Sequence, residues 1–281
     1  MKTSNAMQLK ARIKARAKTL GVSPQLLLQD YLLERLLVRL SESRWRDFVI
    51  VKGGMLISSL VGVSGRVTKD LDTTVRGFTL THESAERAFR DVCSIQAADD
   101  LTFEFLRCED IREADEYPGI RVFVKAHYDP MSVPLSIDVT TGDVITPAAI
   151  EYDYPLVFDE GSVRLMTYSI ETCLAEKIET VISRGIANTR PRDFYDITML
   201  WKMRAKEVGS ETLAKAIAAT CSKRGSLKLM AGYAETMAEI CSDKAMNARW
   251  LSYTKDYSYA AGLSFKDACT TICRILDWCW K

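Results

Sequence analysis

The sequence predicts an α+β fold, a mixed sheet with helices over residues 7–165 followed by a helical domain over 166–281. Two observations predict it. Short β-branched runs mix with helix-period segments up to about residue 165, and from Ser169 onward only the helical period remains. A third, the length of 281 residues, exceeds the usual single domain and favours two.

Residues 8–20 are basic and Ala-rich, a helical composition. Ser4-Asn5-Ala6 before Met7 has the form of a tag remnant and does not enter this assignment. Ser23 and Pro24 suit an N-cap and first helical position, and Leu28, Tyr31, Leu32, Leu36 and Leu40 continue a helix. Asp47–Val51 reads as a buried strand, Lys52-Gly53-Gly54 as a tight turn, and Met55–Val61 as a helix. After a loop over Gly62–Lys69, Asp70–Val75 alternates as a strand. Residues 81–93 are helical. Further strands are expected at Leu101–Leu106, Ile120–His127, Val133–Val139 and Val163–Thr167. Ser169 with Glu171 and Thr172 signals a helix start, and helices are expected over 169–184, 193–205, 210–222, 226–241, 244–254 and 264–279.

Composition narrows the class. At 47% hydrophobic and 27% charged the chain can bury a sizeable core. Lys and Arg total 38 against 37 Asp and Glu, so net charge does not point to nucleic acid and a local patch would have to. The eight cysteines lack C-x-x-C spacing and read as small buried residues of a reducing compartment. No apolar run reaches membrane length and no signal peptide pattern opens the chain, so a cytoplasmic location is expected.

Three features carry chemistry. Gly53-Gly54, between a strand and a helix, lets backbone approach a phosphate at a helix N-terminus, though the same pair serves as a plain turn. In Arg66-Val67-Thr68-Lys69-Asp70-Leu71-Asp72 the two acids lie two apart on a strand, so both carboxylates share a face. Such a pair needs a counter-charge, and Mg²⁺, a hard cation, suits it; a solvated strand edge is the alternative. Asp138 is a lone acid in the apolar strand Leu135-Ser136-Ile137-Asp138-Val139, either a half-exposed strand residue or the third member of a metal-binding triad with Asp70 and Asp72. With only His82 and His127 available, a histidine-based zinc or Ser-His-Asp site has little support.

The order Lys52-Gly53-Gly54, helix, Arg66-x-Thr68-x-Asp70-x-Asp72, then Asp138 resembles the polymerase β-like nucleotidyltransferase fold. With the later Lys177, Arg184 and Arg190-Pro191-Arg192-Asp193-Phe194-Tyr195-Asp196-Ile197, it resembles the AbiEii/AbiGii-type nucleotidyltransferase toxins over about residues 45–200. Met55 departs from the Ser or Thr common after the glycines, which leaves that phosphate contact to backbone groups. The resemblance implies transfer of NMP from an NTP to an acceptor such as the tRNA 3′ end, with two Mg²⁺ ions. It also implies a toxin with a cognate antitoxin, often in phage defence. Asp70, Asp72, Asp138, Lys177 and Asp193 would be catalytic. Lys52, Gly53, Gly54, Arg66, Thr68, Lys177 and Arg192 would bind the nucleotide. Arg44, Arg46, Lys69, Arg190, Arg192 and Lys202 are candidate RNA contacts, or equally a solvated surface. The competing functions are an aminoglycoside-type nucleotidyltransferase and a non-catalytic nucleotide-binding module.

Overall fold

The computed structural model describes residues 5–62, 66, 68, 70–111, 119–157 and 159–280. Among these, the strands are β1 (Val49–Lys52), β2 (Leu71–Val75), β3 (Thr102–Ile111), β4 (Gly119–Tyr128), β5 (Met131–Thr141), β6 (Ile150–Pro155) and β7 (Ser162–Thr167). They form one sheet in the order β3-β4-β5-β2-β1-β7-β6. β2 pairs parallel with β5 and β1 parallel with β7, and the other pairs are antiparallel. The sheet is therefore mixed, as the sequence predicts. Helices α1 (Ala6–Leu20), α2 (Pro24–Glu42), α3 (Gly53–Val61) and α4 (His82–Ser94) accompany it. The helical part comprises α5 (Ile170–Arg184), α6 (Pro191–Arg204), α7 (Ser210–Lys223), α8 (Leu227–Ala231), α9 (Tyr233–Ser242), α10 (Lys244–Asp256) and α11 (Phe265–Cys279). The chain divides into one unit of Met1–Asp143 with Ala149–Tyr168 and another of Val144–Ala148 with Ser169–Lys281.

Several elements differ from expectation for local reasons. α3 starts at Gly53, not at Met55, because Lys52 is itself the extended N-cap and the chain turns directly from strand into helix. β1 starts at Val49, since Phe48 and Val49 donate backbone bonds to the Trp45 carbonyl in a preceding turn. β2 begins at Leu71, leaving Asp70 exposed just ahead of it. The helix expected over 226–241 breaks at Gly232, whose N–H turns back to the Leu229 carbonyl and which lacks a side chain to favour the helix. The unexpected β6 is a sheet edge, with exposed Glu151 and Asp153-Tyr154-Pro155 at its end, a polar pattern typical of edges and weak as a strand signal.

The core of the sheet unit takes Leu32, Leu36, Ile50, Val51, Leu56, Val122, Val124 and Ile137, all essentially inaccessible. The helical unit buries Leu174, Ile178, Phe194, Ile197, Ile217, Ile240, Ile272 and Leu276. Phe194 and Phe265 meet at 5.2 Å between centroids and tie α6 to α11. Ser169 opens this unit: its Oγ accepts the Thr172 N–H at 3.2 Å and donates to the Thr146 carbonyl at 2.6 Å. Replacing it with alanine removes the cap, while the Thr146 carbonyl keeps its bond from Thr172 Oγ1 at 2.9 Å, so Ser169→Ala is expected to lower stability by about 1 kcal/mol in urea unfolding.

Candidate active site

The glycines come first, because they let an acid approach the backbone. Gly53 has φ +62°, and a Cβ there would lie 2.0 Å from Asp72 Oδ2. The Gly54 N–H points to the same oxygen at 3.4 Å, and a Cβ on Gly54 would meet Thr68 Oγ1 at 2.4 Å. Arg66 is buried beside them and donates to the Gly54 carbonyl at 2.5 Å, while Ser58 Oγ donates to the Arg66 carbonyl. Met55 is fully buried, so side-chain contact to a phosphate is absent at that position.

Strand register then sets a row of charges across the sheet. Lys52 on β1 lies opposite Asp72 on β2, Asp72 opposite Asp138 on β5, Asp138 opposite Arg121 on β4, and Arg121 opposite Glu109 on β3. Registered partners share a face, so these side chains form one transverse line. Arg121 grips Asp138 with both arms, Nε at 2.7 Å and Nη2 at 2.8 Å. Lys52 bonds Asp143 at 2.5 Å and Thr140 Oγ1 at 2.8 Å, and Tyr168 donates to Asp143 at 2.7 Å. Burial raises the Asp72 carboxyl above its usual pKa; Lys52 opposes this, and Asp138 and Asp70 add to it. Burial works the same way on Asp143, but the Lys52 ammonium and the bonds from Lys52, Tyr168 and Thr140 hold its carboxyl below the usual range. Among the described residues no three His, Cys, Asp or Glu side chains converge closely enough to hold a metal ion as they stand.

A second acid braces the same loop from behind. Asp30 of α2 is buried and accepts the Thr68 N–H at 3.3 Å. Burial pushes its carboxyl up to about 7, with Glu34 adding and the Thr68 bond and Arg66 opposing; buried Tyr154 of β6 faces it too.

Lys177, Arg192 and Asp193 belong to the helical unit and gather there. Lys177 of α5 bonds Asp193 at 2.6 Å and Asp196 at 2.8 Å, both on the first turns of α6. Asp193 and Asp196 are buried and Lys177 is half-buried, so the ammonium is held between two carboxylates at the edge of the unit's core. The Arg192 guanidinium lies over the Tyr257 ring at 5.7 Å.

Against known families, residues 35–271 match the model described as nucleotidyl transferase AbiEii toxin, Type IV TA system. The chain belongs to this AbiEii family. It is therefore a nucleotidyltransferase by family. A crystal structure of a candidate nucleotidyltransferase from Helicobacter pylori is 12% identical, with 92% of this chain and 96% of that one covered and a TM-score of 0.54. That likeness concerns the fold. A second Helicobacter pylori protein is 13% identical, with 92% of each chain covered and a TM-score of 0.49. The antibiotic-resistance factor ANT(2'')-Ia is 14% identical, covering 74% of this chain and 99% of its own, at a TM-score of 0.42. No curated protein matches the chain.

Sequence reasoning about this AbiEii-family chain missed Arg121, Asp143 and Asp30. Arg121 is legible only as a polar position in an alternating strand, and its partner follows from register. Asp143 lies past the end of β5, and Asp30 on a helix looks like any solvated acid. Of the candidate RNA contacts, Arg44 pairs with Asp91 at 2.5 Å and Arg46 with Glu151 at 3.0 Å. Lys69 lies outside the described residues. His82 and His127 pair with Asp110 and Glu104 at the surface.

Two predictions follow from this geometry. Gly53→Ala forces a left-handed alanine into Asp72, so it is expected to lower stability by about 1–3 kcal/mol and to abolish nucleotide transfer, measured by unfolding and by label incorporation. For Asp30 the folded pKa lies above the ordinary value, so the folded chain holds this proton more tightly than the unfolded chain. Its contribution to stability is full below about pH 4 and is lost as pH rises to about 7. Asn carries no such proton. The Tm of Asp30→Asn relative to the parent is expected to rise between about pH 5 and pH 8, as scanning calorimetry can measure.

Proposed function

We propose that the protein transfers a nucleoside monophosphate from an NTP to an RNA 3′ hydroxyl, with tRNA as the acceptor class, as the toxin of a toxin–antitoxin pair restrained by a cognate antitoxin. Family membership supplies the reaction class. The observation that carries the site assignment is Asp72, registered with Asp138 and packed on the Gly53-Gly54 backbone at the start of α3. No helix among the described residues is long and apolar enough to cross a membrane. A cytoplasmic role fits substrates of this kind.

The carboxylates fit a hard divalent cation. Asp72 and Asp138 are adjacent acids on one sheet face, with Asp70 just before β2, and burial, with repulsion from the other two adding, raises Asp72. Asp70, Asp72 and Asp138 would hold two Mg²⁺ ions once drawn together around them. When bound, Mg²⁺ neutralises carboxylate and triphosphate charge and favours the ionised acceptor hydroxyl.

The chain's own groups do the rest. The Gly53-Gly54 backbone and the first N–H groups of α3 cradle the triphosphate. Arg66 and Thr68 hold that loop in place. Asp138, released from Arg121, takes the proton of the acceptor hydroxyl as its oxygen bonds to the α-phosphorus and the bond to pyrophosphate breaks. Lys177, oriented by Asp193 and Asp196, and Arg192 are the cations that the helical unit itself offers to phosphate groups.

The test is incubation of purified protein with Mg²⁺, each α-labelled NTP, and either total tRNA or an aminoglycoside. Label on tRNA is expected. It should fall by about a thousandfold in Asp72→Asn and vanish when EDTA removes the metal. Label on the aminoglycoside alone would replace the RNA acceptor by a small molecule. Absence of label with every NTP and both acceptors would overturn the proposal.

A further inference from the structure

Beside Lys177 and Asp196, the helical unit carries a cluster of tyrosines that nucleotidyl transfer, as proposed, does not use. Tyr195 of α6 and Tyr253 of α10 are buried, 2% and 6% exposed. Tyr257, at the end of α10, and Tyr259, in the turn after it, are half-buried. The inner rings brace the outer ones: Tyr195 meets Tyr259 at 5.0 Å, and Tyr253 meets Tyr257 at 5.0 Å. The Tyr253 and Tyr259 hydroxyls lie 3.0 Å apart, within hydrogen-bond reach. The outer pair stands 5.5 Å apart, tilted at 43°. Arg192 lies over Tyr257.

We propose that Tyr257 and Tyr259, with the Arg192 guanidinium, form a stacking site for a nucleobase. The inference rests on the nucleotidyltransferase reading and adds to it the place where a base is held. Rings braced from behind lose little entropy when they bind, and a base offers a planar π-face of matching size. Arg192 supplies a second planar surface and a charge suited to a phosphate. The base belongs either to the NTP donor or to the end of a single-stranded RNA acceptor, and both offer the same chemistry to the rings.

Photocrosslinking separates the two sources. The full chain carrying Asp72→Asn, which blocks turnover, is irradiated with 5-iodo-UTP or with a short single-stranded oligoribonucleotide ending in 5-iodouridine. Adducts are then mapped by peptide mass spectrometry. An adduct on Tyr257 or Tyr259 is expected. Adduct from the triphosphate alone assigns the donor base, from the oligonucleotide alone the acceptor base, and from both a shared site. Tyr257→Leu with Tyr259→Leu should reduce crosslinking about tenfold or more, and Tyr257→Phe with Tyr259→Phe should retain it. No adduct on either tyrosine with both probes overturns the stacking site, as does undiminished crosslinking in the leucine variant. Because the readout needs no transfer, loss of label on tRNA with tyrosine adducts intact would fault the acceptor proposal and not the stacking site. The adducts on the parent chain and the phenylalanine variant decide the matter even if the leucine variant fails to fold.

Discussion

The approach of the Asp72 carboxylate to the Gly53-Gly54 backbone is the constraint on which the sheet face depends. It exists because neither residue carries a Cβ: one on Gly53 would sit 2.0 Å from the carboxylate. Gly53 also takes the left-handed backbone that brings β1 straight into α3. The same closeness draws in Thr68 and Arg66, whose side chains fill the space next to Gly54. Moving any one of these groups would move the others, because they share one small volume.

That closeness has an electrostatic cost. Asp72 sits in register with Asp138, and burial and repulsion make its ionised form unfavourable. The sheet answers with flanking cations, Lys52 on one side and Arg121 on the other, each itself tied to a carboxylate. The row alternates sign except at its centre, where two acids meet. Fixed cations at its ends hold the row together.

The helical unit meets a similar demand differently. Lys177 is half-buried between Asp193 and Asp196, and its charge is satisfied by both. Such a pair is costly to break and rigid when made. It fixes α5 against α6 and places Arg192 beside the tyrosines. At Asp30 burial outweighs the Thr68 bond and the Arg66 charge that oppose it, so burial dominates its chemistry.

The sequence by itself determined the class of fold and most of the elements. Periodicity marks α2, β2, β5 and the helices after Ser169, because side-chain spacing of 3.6 or 2 is local information. It also singles out Asp72 and Asp138 as acids in strands, with Asp70 just ahead of one, because charge is rare in apolar strands. Position in the chain could not reveal β6, whose polar edge pattern depends on what it pairs with. Nor could it reveal that Lys52 is tied to Asp143, that Arg121 grips Asp138, or that Asp30 holds Thr68. Those contacts join residues 17 to 91 apart. Register and burial create them, and both arise only once strands distant in sequence lie side by side.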